Sequence, residues 1–435
     1  MELRVENKPL TGRIVAPIAK SPAHRYLIAS ALSSKEIRIN LSEKENNRGE
    51  LLLGSDLLVT IASLKELGFN FQRREDSLIV ANEKLLKEEE AKLNCRQSGT
   101  SLRLLLPLIG ALGLEAEIIG EGKLPQRPIG HLIEVLKAKG MEFDRDKLPL
   151  KAAGQLQAGD FFLPGDVSSQ YFSGLLMALP LLHGDSRVFY TSPLQSKGYV
   201  DLTIAVLKEF SIRVELIDQG FYVPGKQSYL GPGSIDLPGD WSGSAFYLAA
   251  GGFNEIVLDG LKENSNQSDE FILEALKGWG AKVETSPNKI KISPNQRLPL
   301  DLDLRQFPDL APILALMAAL SSGQSSLKGL HRLRYKESDR LQGIIKMLQA
   351  FKVEFNYNEN SDTLKIWGQP CLNGGALDGQ NDHRLIMTGM IAATCAQEPI
   401  TIINAQGVEK SYPMFFNDYQ KLGGSYYVLE NGEES

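Results

Sequence analysis

One signature recurs six times along the chain: an apolar helical stretch closing in Leu-Lys or a near variant, a turn, and an alternating strand. The copies read LKELGFNFQ, LKAKGMEFD, LKEFSIRVE, LKGWGAKVE, LQAFKVEFN and YQKLGGSYY. Their turn residues are Gly68, Gly140, Ser211, Gly280, Lys352 and Gly423, so successive copies lie 72, 71, 69, 72 and 71 residues apart. A period held that closely marks a repeated folding unit. Glycine just past a helix takes the left-handed cap without a steric penalty, and period-2 alternation after it reads as a strand buried on one face. The unit is therefore βαβαββ-like and the chain is α/β. At 435 residues it exceeds what one core supports, which places three units in each of two domains.

A second series runs out of phase with the first. It consists of polar helix starts followed by strongly apolar helices: KSPAHRYLIASAL from Lys20, QSGTSLRLLLPLIGAL from Gln97, SSQYFSGLLMALPLL from Ser168, GDWSGSAFYLAAG from Gly239, FPDLAPILALMAAL from Phe307 and QNDHRLIMTGMIAAT from Gln380. Ser, Thr, Asp or Asn at these starts can cap the free N–H groups of the first turn, and Pro22 suits the first helical position. Helices apolar nearly all round are buried helices. Their starts carry partial positive charge and unsatisfied N–H groups, so six of them aimed inward make anion sites.

Composition narrows the partners. Apolar residues make up 43% and charged residues 23%, the balance of an ordinary globular protein. No signal, transit or membrane-spanning pattern is present in the sequence, which predicts a cytoplasmic protein. Cys95, Cys371 and Cys395 have neither disulfide nor zinc spacing. The net charge of -6 argues against nucleic acid, so any anion site must concentrate its cations locally.

The cations do gather at the helix starts and adjoining loops: Lys20, Arg25, Arg103, Arg127, Lys197, Lys336, Arg340, Arg384 and Lys410. Lys20-Ser21 with Arg25 sets a point charge, a hydroxyl and a planar fork within about a turn, a combination suited to phosphate and carboxylate. Ser168-Ser169-Gln170 offers three neutral polar groups where one would cap. Pro308-Asp309 puts a carboxylate at a helix start, where it could serve merely as a cap. In Lys336-Glu337-Ser338-Asp339-Arg340, capping accounts for Ser338 and Asp339 but not for Lys336 and Glu337. Arg384, in the first turn after Asn381-Asp382-His383, opposes the helix dipole unless an anion lies nearby.

These residues carry a resemblance. Gln97-Ser-Gly-Thr-Ser-Leu-Arg103, Arg127-Pro-Ile-Gly, Ser168-Ser-Gln170, Ser196-Lys-Gly-Tyr199, Lys336-Glu-Ser-Asp-Arg340 and Asn381-Asp-His-Arg384, in that order from Lys20 to Lys410, resemble the 3-phosphoshikimate 1-carboxyvinyltransferase family of enolpyruvyl transferases. The resemblance implies a two-domain inside-out α/β barrel, with one domain of residues 1-18 plus 239-435, the other of 19-238, and the active site in the interdomain cleft. It implies a hinge in GPGSIDLPGDW, domain closure on binding, and a mainly structural role for the GDWSGSAF helix. The implied reaction moves the enolpyruvyl group of phosphoenolpyruvate to the 5-hydroxyl of shikimate 3-phosphate, releasing phosphate. It needs no metal or organic cofactor, and the implied enzyme is a monomer.

By the same resemblance, shikimate 3-phosphate is held by Lys20, Ser21, Arg25, Ser168, Ser169, Gln170, Ser196, Tyr199, Asp309 and Lys336. Phosphoenolpyruvate is held by Lys20, Gly99, Arg127, Gln170, Arg340, Arg384 and Lys410. Asp309 is the implied base, with Glu337 and Lys20 as candidates for handling the proton at the methylene carbon. Ile18-Ala19 before Lys20, His24 before Arg25, and Gln97 depart from the family's usual Gly-Ser, Asn and Asn. Gly99 is retained, which implies sensitivity to the inhibitor glyphosate. Two alternatives stand beside this reading. One is the related transferase acting on UDP-N-acetylglucosamine, whose reactive cysteine is missing from GEGKLPQRP; the other is a non-catalytic anion-binding paralogue.

Overall fold

The computed structural model describes residues 1–41, 53–74, 76–84, 86, 89–430 and 433–434. They form two compact units, Lys20–Leu237 and Met1–Ala19 with Pro238–Ser435.

The unit Lys20–Leu237 contains three four-stranded sheets. In one, strands Asp160–Leu163 and Ser186–Tyr190 run parallel and are joined by helix Ser169–Ala178, since a parallel pair needs a crossover. Helix Lys197–Glu209 then leads to the hairpin Glu215–Ile217 and Gly220–Val223, whose second strand pairs antiparallel with Ser186–Tyr190. The sheet of Ala91–Asn94, Ala116–Ile119, Glu142–Phe143 and Leu150–Ala153 repeats this plan around helices Gly99–Leu112 and Gly130–Lys137. The third sheet takes its first strand, Ser234–Asp236, from the far end of the unit and lays it parallel to Ile37–Asn40.

The other unit also holds three sheets. One is contiguous in sequence, from strand Asp301–Asp303 to strand Thr363–Trp367. The remaining two are completed by the chain's first residues. Gly12–Val15 lies parallel to Ile256–Asp259, and Glu2–Val5 lies antiparallel between Ile400–Ile403 and Tyr426–Glu430. The βαβαββ plan of the sequence is thus present in permuted form wherever a sheet borrows a strand from the opposite end of its unit.

All six repeat turns are left-handed, with φ of 96° at Gly68, 93° at Gly140, 61° at Ser211, 97° at Gly280, 54° at Lys352 and 97° at Gly423. The two copies without glycine keep the conformation, because the chain must reverse there into its strand. The apolar helices are buried as expected: all nine residues of Ala311–Ala319 and all eleven of His383–Ala393 are buried. Ser98, Ser168, Asp240 and Asp382 act as N-caps, accepting from the backbone N–H of Ser101, Gln170, Ser242 and Arg384.

Three local expectations need correction. Asp309 is not a cap, since the residue flanking helix Ala311–Ala319 is Leu310 and the Asp309 carboxylate turns to cations instead. Before helix Arg340–Ala350 only Asp339 caps, while Ser338 donates its hydroxyl to Asp382. Pro22 is the third residue of helix Lys20–Leu32, still in the turn whose N–H groups have no helical acceptor. Cys95 is buried, Cys371 and Cys395 are half-buried, and all three are free thiols. Among the described residues no helix is long and apolar enough to cross a membrane.

Candidate active site

In the unit formed by Met1–Ala19 and Pro238–Ser435, five helix-start residues build one charged cluster around Asp309. Its Oδ1 accepts from Arg340 Nη1 at 2.8 Å and from Lys336 Nζ at 3.3 Å. Its Oδ2 accepts from Arg384 Nη2 at 3.1 Å, and its backbone carbonyl accepts from Arg384 Nη1 at 3.1 Å. Arg340 also donates to Glu337 through Nη2 and to Asp382 Oδ2 through Nε at 2.7 Å. Ser338 Oγ donates to the same Asp382 oxygen at 2.9 Å. Arg340 is only 1% exposed, so its charge survives burial through these three carboxylates.

The electrostatics follow from that geometry. Burial alone would raise the pKa of Asp309, but Arg384, Lys336 and Arg340 outweigh it and hold the carboxyl well below its ordinary range. Burial pushes the Lys336 ammonium down to about 8, against the opposing pull of Asp309. The first-turn arginine Arg384, which needed an anion, has one in Asp309. Lys410 ends the turn Ala405–Lys410 and donates Nζ to the carbonyl of Asn381 at 2.6 Å, beside the capped start of helix His383–Ala393.

The unit Lys20–Leu237 carries the remaining expected residues in three places. Lys20, the first residue of its helix, meets Asp56 Oδ2 at 2.9 Å with both side chains mostly buried. Arg25 is enclosed and braces three elements. It donates Nε to Thr203 Oγ1 at 2.7 Å, Nη1 to the Ser21 carbonyl at 2.7 Å, and Nη2 to Ser173 Oγ at 3.1 Å and the Tyr199 carbonyl at 3.0 Å. Desolvation lowers its pKa to about 10. Ser196 enters helix Lys197–Glu209 in the left-handed conformation at φ 53°, while Lys197 pairs with Asp201 at the surface.

The third place is the start of helix Gly99–Leu112. Arg103 donates Nη1 to Gln170 Oε1 at 3.0 Å and Nη2 to the Pro128 carbonyl at 2.9 Å, while Gln170 Nε2 donates to Thr100 Oγ1 at 2.8 Å. A Cβ on Gly99 would stand 2.6 Å from Arg127 Nη1 and 2.7 Å from Arg103 Nη1. The missing side chain lets two guanidinium groups reach one helix start, a strong local attraction for anions in a chain of net charge -6. Ser168 caps its helix and Ser169 is that helix's first residue, nearly buried.

Four residues of these clusters were not singled out from sequence: Asp56 opposite Lys20, Asp382 as more than a cap, and Thr203 and Ser173 around Arg25. Asp56 and Asp382 have the local signature of any first-turn or capping acid, and the hydroxyls have none. Only the fold shows what they face.

A family profile described as EPSP synthase (3-phosphoshikimate 1-carboxyvinyltransferase) matches residues 5–419. A 3-phosphoshikimate 1-carboxyvinyltransferase from Clostridium kluyveri is 36% identical over 419 residues, covering 95% of this chain and 96% of its own. One from Clostridium acetobutylicum is 36% identical over 434 residues, covering 98% of each. The solved structure of EPSP synthase from Acinetobacter baumannii superposes with a TM-score of 0.81 at 24% identity, over 99% of this chain and 100% of that one, and shares the fold. A charged cluster around a buried carboxylate, cations gathered at helix starts and full-length similarity agree: the chain belongs to the EPSP synthase (3-phosphoshikimate 1-carboxyvinyltransferase) family.

Proposed function

We infer that this chain transfers the enolpyruvyl group of phosphoenolpyruvate to the 5-hydroxyl of shikimate 3-phosphate, releasing phosphate, in the shikimate pathway to aromatic amino acids. The observation that carries the reading is Asp309, an ionised carboxylate held by Lys336, Arg340 and Arg384. A base for the hydroxyl must be deprotonated, and cations beside it are what two phosphorylated carboxylic acids require.

In this reading Asp309 accepts the proton of the 5-hydroxyl as its oxygen bonds to C2 of phosphoenolpyruvate and a proton reaches the C3 methylene. The tetrahedral adduct collapses by loss of that C3 proton with departure of phosphate. Glu337 and Lys20 are the candidates for handling the C3 proton, and both lie against opposite charges, Arg340 and Asp56. Lys336, Arg25, Lys20, Ser21, Ser168, Ser169, Gln170, Ser196 and Tyr199 serve shikimate 3-phosphate. Arg340, Arg384, Lys410, Arg127, Gly99, Gln170 and Lys20 serve phosphoenolpyruvate. The hydrogen bonds between Arg103, Gln170 and Thr100 support this allocation, since they order Gln170 beside the Gly99 helix start.

We propose a monomeric enzyme, in which this allocation takes every residue from a single chain. Its phosphorylated substrates do not cross a bilayer unaided, which supports a cytoplasmic one. Glycine at 99, where any side chain would crowd the Arg127 and Arg103 guanidinium groups, supports competition by glyphosate, and an enzyme indifferent to millimolar glyphosate at low phosphoenolpyruvate would overturn that point. Phosphate release tests the main reading: turnover is expected with shikimate 3-phosphate and phosphoenolpyruvate, and none with UDP-N-acetylglucosamine as acceptor. A folded sample inactive with the first pair refutes it.

A further inference from the structure

Below Lys20 and Gly99 runs a buried chain of hydrogen bonds that the reaction itself does not use. His24 Nδ1 lies 2.7 Å from Thr60 Oγ1, Thr60 Oγ1 lies 2.7 Å from Ser101 Oγ, and Ser101 Oγ lies 2.7 Å from Ser98 Oγ. All four side chains are shut off from solvent. Ser98 in turn caps helix Gly99–Leu112 by accepting from the Ser101 N–H at 3.2 Å. Burial and the neighbouring Lys20 and Arg25 charges hold His24 well below its usual pKa, so the ring is neutral. A neutral imidazole has one donor and one acceptor nitrogen, and Nδ1 is the one engaged, by Thr60, while Nε2 has no partner. The Thr60 and Ser101 hydroxyls also reach the Asp56 carbonyl, each at 3.5 Å, so the chain closes on the helix that carries Asp56.

The spacing of the members matters. Lys20 and His24 are four apart on helix Lys20–Leu32, and Asp56 and Thr60 are four apart on helix Ser55–Glu66. Residues four apart share a helix face. The two helices are therefore fastened by two rungs, Lys20 to Asp56 and His24 to Thr60, each spanning 36 residues of sequence. Thr60 passes the second rung on to the start of a third helix. A single buried polar chain thus ties the element carrying Lys20 to the element that begins at Gly99.

The geometry points to His24 and Thr60 as positioning residues that set the distance between Lys20 and the Gly99 helix start, and so the fit of phosphoenolpyruvate in particular. The inference rests on the functional reading above, which assigns both Lys20 and Gly99 to that substrate. Neither His24 nor Thr60 contacts substrate in this account. Removing one member of this buried chain leaves its neighbour unsatisfied and lets the helices settle elsewhere.

The test uses the full-length enzyme and four variants. Thr60→Val keeps the volume and deletes the hydroxyl, Thr60→Ser restores it, His24→Leu deletes the imidazole, and His24→Asn offers an amide near the position of Nδ1. Wild-type turnover first establishes the functional reading by itself. The expected result is that Thr60→Val and His24→Leu raise the KM for phosphoenolpyruvate on the order of tenfold. The Kd for shikimate 3-phosphate, measured alone, changes by less than about twofold, and Thr60→Ser and His24→Asn recover most of the loss. The double variant Thr60→Val/His24→Leu should be no worse than the poorer single one, because both cut the same chain. The inference is overturned if both substrates weaken equally, if only thermal stability falls, or if Thr60→Ser fails to rescue. A variant that does not fold is replaced by Ser101→Ala, which cuts the chain at its next link and faces the same criteria.

Discussion

Asp309 shows how one side chain can have two readings in sequence and one in the fold. Beside Pro308, at the start of an apolar helix, it looks like a cap; in the structure it does no capping and takes three cations instead. Asp309→Asn keeps the shape and removes the proposed base, so kcat should fall by about three orders of magnitude or more while shikimate 3-phosphate still binds, as single-turnover and binding measurements would show. Lys336 sets a limit at alkaline pH. With its pKa lowered to about 8, the free enzyme loses this charge as pH rises through 8, so kcat/KM should decline above that value and be level just below it. A pH profile flat to pH 9 contradicts the assignment. At Gly99, an added methyl group meets two guanidinium nitrogens closer than 3 Å, so Gly99→Ala should raise the KM for phosphoenolpyruvate several-fold with less effect on the other substrate.

Each repeat ends its second helix in a left-handed residue whether or not that residue is glycine. Ser211 and Lys352 hold φ of 61° and 54°, where a side chain crowds the backbone. Lys352→Gly removes that crowding at an exposed site, and the gain exceeds glycine's added freedom in the unfolded chain. Chemical denaturation should show a stabilisation of about 0.5 kcal/mol. At the start of helix His383–Ala393, Asp382 both caps the helix and neutralises Arg340, and it is fully buried. Asp382→Ala should therefore cost about 3 kcal/mol, well beyond the roughly 1 kcal/mol of an ordinary lost cap, because it leaves a buried guanidinium short of one partner. A loss near 1 kcal/mol would mean that Glu337 and Asp309 suffice for Arg340.

At the scale of the whole molecule, the proposed function has an acidic protein bind anions through cations concentrated at a few helix starts and held there by internal carboxylates. Shikimate 3-phosphate should raise the melting temperature in proportion to the logarithm of its concentration, and added salt should weaken the effect. The period near 71 residues, the alternation of helix and strand, the buried apolar helices and the left-handed turns were all legible in sequence, since each follows from backbone geometry acting over a few residues. The cations worth attention were legible too, because a charge at an apolar helix start is locally out of place. What lay beyond sequence was the borrowing of strands Glu2–Val5, Gly12–Val15 and Ser234–Asp236, and the choice of partner for each charge. Lys20 meets Asp56 across 36 residues, Arg340 meets Asp382 across 42, and Arg384 meets Asp309 across 75. No local pattern encodes such pairings; they follow from how the repeats of each unit pack, which only the tertiary structure decides.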